Sequence, residues 1–76
     1  MEKYICIDIG GTAIKYGIIG ADDTILTKNQ MDTQAHKGGP EILKKVINIV
    51  QNAIDEYGEK IIGICISTAG KIAVLC

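Results

Sequence analysis

Hydrophobic and polar positions alternate in two short stretches near the N-terminus, fall into a helical period mid-chain, and then run together. Over Lys3–Ile9 the side chains of Ile5, Ile7 and Ile9 point one way, while Tyr4, Cys6 and Asp8 point the other. Ala13–Gly20 alternates again, with Ile14, Tyr16 and Ile18 on one face and Ala13, Lys15, Gly17 and Ile19 opposite. The short Gly10-Gly11-Thr12 link predicts an antiparallel hairpin between them. Ala21-Asp22-Asp23 is a second turn, and residues 24–32 read as a third, more polar strand at the sheet edge.

Gly38-Gly39-Pro40-Glu41 opens a helix, with proline in the first turn and an acid near the positive end of the helix dipole. Ile42, Leu43, Val46, Ile47, Val50, Ala53, Ile54 and Tyr57 recur at three and four residues, giving one broad apolar stripe. Gly58 stops the helix. Residues 61–66 form a nearly continuous apolar run, expected of a strand covered on both faces and parallel to the first strand across a helical crossover. Ser67-Thr68-Ala69-Gly70 is a loop at its carboxyl end, and residues 71–76 are an apolar tail. The order is β-β-β-α-β, an α/β fold with a mixed sheet and one covering helix. One helix covers one face, so the other face calls for a further layer, from the same protein or from another chain.

Composition narrows the partners. The 76 residues form one small domain, and 47% hydrophobic content without Phe or Trp suits buried aliphatic β-structure rather than disorder. With eight lysines, no arginine and a net charge of −1, there is no basic stripe for nucleic acid. No apolar run approaches the roughly 18 residues of a membrane span, so membrane insertion is not expected. Cys6, Cys65 and Cys76 lack CxxC spacing and read as reduced thiols that pack in strands, in a cytoplasmic protein.

The chemistry gathers at two turns. Asp8, at the exit of a buried strand, suits water-mediated Mg²⁺ binding, or equally an Asx-type turn. Gly10 and Gly11 let backbone N–H groups approach phosphate oxygens, or simply serve a tight hairpin. Thr12 offers a hydroxyl to a phosphate or to the turn itself, and Lys15 is either a phosphate neighbour or a solvated strand lysine. Unlike a P-loop or dinucleotide fingerprint, this turn leads into a strand rather than a helix. Ser67, Thr68 and Gly70 lie where open α/β sheets hold ligands and suit a polyol, with a plain strand-to-loop turn as the competing account. His36 falls in a loop and lacks the oriented partners of a catalytic base.

The segment Asp8-Ile9-Gly10-Gly11-Thr12-Ala13-Ile14-Lys15-Tyr16-Gly17 resembles the first phosphate motif of the ROK family (repressors, open reading frames and kinases). That family is a branch of the actin-like, ribonuclease H-like ATPase superfamily. Gly63-Ile64-Cys65-Ile66-Ser67-Thr68-Ala69-Gly70 is similar to the family's next segment. The resemblance implies that Gly10, Gly11 and Thr12 border the ATP phosphates, Asp8 helps place Mg²⁺, and Lys15 lies beside the phosphates. It implies that Ser67, Thr68 and Gly70 approach a sugar.

Kinase members of the family phosphorylate hexoses, and repressor members carry an N-terminal helix-turn-helix. A strand that starts at residue 3 favours the kinase branch. The downstream catalytic Asp, the zinc motif and the adenosine pocket have no counterpart in these 76 residues. The expectation is therefore a partial N-terminal ATPase-type domain over residues 1–76, truncated after the fourth strand, from a glucokinase-like sugar kinase and inactive alone. The alternative is a non-catalytic or regulatory ROK-type protein. Self-association through the uncovered sheet face is expected in either case.

Overall fold

The structure, a computed structural model, describes residues 2–68 and the backbone of residues 71–75. Strands β1 (Lys3–Ile9), β2 (Ala13–Gly20) and β3 (Ile25–Asp32) form an antiparallel meander. Helix α1 (Gly39–Tyr57) then crosses over the sheet to β4 (Ile61–Thr68), which pairs parallel with β1. The β-β-β-α-β order of the sequence reading is present, and the tail adds to it. Residues Lys71–Leu75 form a fifth strand, β5, antiparallel to β4, so the sheet order is β3-β2-β1-β4-β5. A hairpin-length connection permits only antiparallel pairing, whereas the β1–β4 pair needs the helical crossover. The mixed sheet with one helix is compatible with the ribonuclease H-like, actin-like ATPase arrangement.

Alternation along the strands sorts the side chains as the sequence predicted. Ile5, Ile7, Ile14 and Ile18 bury themselves under α1, packed on Val46, Ile49 and Ala53. Each fully buried isoleucine of this kind contributes about 1.5–3 kcal/mol. Lys3 is the buried cation of this face, its ammonium 5.3 Å from the centre of the Tyr57 ring.

The helix begins after Gly38, whose φ of 91° favours glycine, and carries Pro40 and Glu41 in its first turn. At its other end Gly58 (φ 58°) turns the chain and donates its N–H to the Ile54 carbonyl. The apolar stripe is narrower than the sequence suggested. Val46, Ile49 and Ala53 form the buried seam, while Leu43, Ile47 and Ile54 are 59%, 55% and 43% exposed. At 100° per residue the seam passes through Ile49, which the broad stripe had left out, and swings the other three aside.

Strand β3 lies at the sheet edge, as its polarity predicted, and stays largely exposed. Its register with β2 shifts between Ile18 and Ile19. Among the described residues, β4 presents Ile64 and Ile66 to the core and Gly63, Cys65 and Ser67 to the opposite face. The apolar run of β4 is thus less two-sided than it reads, because its uncovered positions are small.

Candidate functional site: the uncovered sheet face and its Gly-Gly turn

On the face away from α1, register alone assembles a row. Asp8 in β1 is paired with Lys15 of β2 on one side and with Ser67 of β4 on the other. Adjacent strands lie about 4.8 Å apart, so the three residues occupy neighbouring positions across three strands. One row further back come Gly17, Cys6 and Cys65. All six line one groove of about 290 Å³, together with Ile19, Ile25 and Lys28.

Asp8 and Lys15 are both exposed, and the ion pair recorded among the described residues is Lys44–Glu41, not this one. The carboxylate and the ammonium therefore stand side by side without closing on each other. Lys28, on the neighbouring strand, brings a second ammonium to the groove. Its position in a polar edge strand gave no sign of this in the sequence, because the β2–β3 register decides it.

The Gly10-Gly11-Thr12 turn caps this row. Gly10 donates its N–H to the Ala13 carbonyl at 2.9 Å, and a Cβ added at Gly10 would lie 2.9 Å from that same oxygen. Gly10 is thus required by the turn. Gly11 is different. It is exposed, its φ is not positive, and a Cβ there would meet nothing within 4 Å. The fold makes no demand for glycine at position 11, and the open space beside it leaves the backbone approachable. Thr12 is also exposed.

Two residues that the sequence reading passed over brace the turn. Thr33, just after β3 and 1% exposed, donates its hydroxyl to the Gly10 carbonyl at 2.7 Å. Its N–H donates to the Thr12 carbonyl at 2.9 Å. Lys45 of α1 donates to the carbonyls of Asp32 (2.6 Å) and Thr33 (3.2 Å) and to Oε1 of Gln34 (2.8 Å). Gln34 has a φ of 53°, in the left-handed region that costs a residue with a Cβ roughly 1–2 kcal/mol. A threonine in a polar loop and a lysine on a helix carry no motif, and their roles appear only once the loop is folded.

The second segment divides. Ser67 joins the Asp8 row, while Thr68 alternates to the opposite face, in register with Ile9. Gly70 lies outside the described residues, as do Ala69 and Cys76. His36 sits exposed in a single 3-10 turn, Ala35–Lys37. No group of three or more metal-ligating side chains occurs among the described residues, and Cys6 and Cys65 are free thiols. Burial, and secondarily the facing Cys65, raises the Cys6 thiol above its ordinary value of 9.0. Cys6 therefore stays a protonated packing group near neutrality.

Comparison with known sequences identifies the scaffold. The sequence model of the ROK family matches residues 4–74, nearly the whole chain. The chain belongs to the ROK family. An uncharacterized protein of Clostridium perfringens (strain 13 / Type A) is similar to it, 47% identical over 72 residues. That match covers 95% of this chain and 24% of the relative, so the chain spans about a quarter of the relative's length. No helix among the described residues is long and apolar enough to cross a membrane.

Proposed function

We propose that this chain carries the nucleotide-phosphate site of an ATP-dependent hexose kinase of the ROK family. The observation that carries the reading is Gly11. Its backbone is exposed and clear of other atoms beside Thr12, at the head of the row Lys15–Asp8–Ser67. A glycine that the fold does not need, next to a hydroxyl, a carboxylate and two lysines, suits a polyanion that must approach the main chain.

The residues fit a magnesium nucleotide. Asp8 is an exposed carboxylate without an ion-pair partner among the described residues, and Mg²⁺ typically takes one or two carboxylates with waters and phosphate oxygens. Asp8 would hold the ion, which, when bound, neutralises charge on the phosphate oxygens. The Gly11 N–H and the Thr12 hydroxyl would donate to phosphate oxygens, while Lys15 and Lys28 would make the local potential more positive from the groove side. Phosphoryl transfer depends on this kind of positioning and charge neutralisation. Ser67, beside Asp8, is the residue of the second segment suited to a sugar hydroxyl. The base that takes the proton from that hydroxyl is assigned to a longer ROK protein. Residues 1–76 alone are expected to bind nucleotide without turnover.

Titration of Mg·ATP against the 76-residue chain tests this. Saturable binding near or below millimolar, weaker for AMP, supports the reading, and no saturable binding removes it. A second reading, self-association of a non-catalytic ROK protein, has Ile19 and Ile25 of the groove in its favour, Ile25 being 65% exposed. Light scattering separates the two, since a chain that stays monomeric at high concentration leaves the second reading without support.

A further inference from the structure

We infer that Thr33 is a positioning residue for the phosphate turn, aiming the Gly11 amide outward, and that Lys45 ties this arrangement to helix α1. The inference rests on the phosphate-site reading for its purpose, but its geometry stands independently.

Thr33 grips the carbonyls on both sides of Gly11. Its hydroxyl holds the Gly10 carbonyl at 2.7 Å and its N–H holds the Thr12 carbonyl at 2.9 Å. A trans peptide is planar, so its C=O and N–H point in opposite directions. With the Gly10 carbonyl drawn toward buried Thr33, the N–H of the same peptide, that of Gly11, turns the other way, away from Thr33, and Gly11 itself is exposed. An outward amide in an exposed turn is the donor an anion needs. Without the Thr33 hydroxyl, the 10–11 peptide can rotate and the donor loses its aim.

Thr33 needs an anchor of its own, 23 residues along the chain from Gly10 and next to Gln34 in its left-handed conformation. Lys45 provides it. One ammonium gathers the carbonyls of Asp32 and Thr33 and the side chain of Gln34, which uses its three donors. Because Lys45 stands one residue before buried Val46, the loop is fixed to the packed seam of the helix. The phosphate turn is thus held from α1 as well as by its own hairpin bond from Gly10 to Ala13.

The test compares Thr33→Val, which keeps the shape and removes the hydroxyl, with Thr33→Ser, which restores it. Two readouts are followed in the 76-residue chain: hydrogen exchange of the Gly10 amide, and the Mg·ATP-induced shift of the Gly11 amide resonance. Thr33→Val is expected to make the turn closed by the Gly10–Ala13 bond open more often and so speed Gly10 exchange about tenfold, the free-energy equivalent of one ordinary hydrogen bond. It is also expected to weaken Mg·ATP binding by about five- to tenfold, with the Gly11 shift reduced. Thr33→Ser stays within about twofold on both counts, and exchange at Ile49 in the helix seam is unchanged by either variant.

Should Thr33→Val fail to fold, Lys45→Met replaces it, with Gly10 exchange expected to rise about threefold. Gly10 exchange within twofold of wild type in the folded variant overturns the inference. So does a Thr33→Ser protein that behaves like Thr33→Val. If wild type binds no Mg·ATP, the phosphate reading falls, while the exchange measurement still decides the brace.

Discussion

The two faces of this sheet are built from the same strands, residue by residue in alternation, yet they follow opposite rules. Toward the helix, β1 and β2 present Ile5, Ile7, Ile14 and Ile18, all buried in one aliphatic cluster. Away from it, the same strands present Cys6, Asp8, Lys15 and Gly17, none of them buried. The covered face is where folding free energy is gained, because burial of apolar area is the dominant favourable contribution. The open face contributes little to that and, among the described residues, sets the Asp8 carboxylate beside the Lys15 ammonium without an ion pair between them.

Substitutions on neighbouring positions should make the contrast measurable. The largest effect is expected at Ile14, fully buried on the helix face. Ile14→Ala should cost about 2–5 kcal/mol in chemical denaturation, which threatens folding of a domain this small. Cys6→Ala, on the opposite face, should cost under about 1.5 kcal/mol. Equal losses would mean that the two faces do not divide the work.

Gly17 comes next, as an open-face position with a steric reason of its own. A Cβ there would run into the Thr27 carbonyl of the neighbouring strand. Gly17→Ala should therefore cost about 1–3 kcal/mol and loosen β3 first, seen as faster amide exchange in residues 27–29. A neutral Gly17→Ala would show that β2 and β3 are less closely apposed than described.

The pH dependence should be smaller, and on the alkaline side it traces to Cys6. Burial and the facing Cys65 raise the folded-state Cys6 value above 9.0. The folded state therefore holds this proton more tightly than the unfolded chain does. The stability it contributes is fully present below about pH 9 and is lost as pH climbs through the folded value. Thermal melts from pH 7 to 10.5 should show that decline, and Cys6→Ser should flatten it. A decline that survives Cys6→Ser would place the titrating group elsewhere.

The helix-covered half of this account was legible in the sequence. Period-2 alternation located β1 and β2, polarity marked β3 as an edge, and Gly38, Pro40 and Gly58 bracketed α1. What escaped was whatever depends on angle or register between elements. The seam of α1 runs through Ile49 rather than Leu43 and Ile47, a matter of helical phase against a particular sheet. Lys28 reaches the groove, and Thr68 leaves it, by strand pairing that a linear motif does not record. Thr33 and Lys45 act through single hydrogen bonds made across the fold. The Asp8 to Lys15 motif was legible because its residues are adjacent. The hydrogen bonds that Thr33 and Lys45 make around it were not, because their parts are distant in sequence.

Gly11 provides the smallest structural effect and the sharpest functional one. With open space where its Cβ would go, Gly11→Ala should leave stability within about 0.5 kcal/mol of wild type. The same methyl should obstruct a phosphate on the main chain. The deciding measurement is a Mg·ATP titration of wild type and Gly11→Ala followed by amide resonances. Saturable shifts at residues 8–15 and at Ser67 in wild type, strongly weakened in the equally stable variant, are predicted. Absence of saturable shifts in wild type, or an unchanged response in Gly11→Ala, would contradict a phosphate site on the open face.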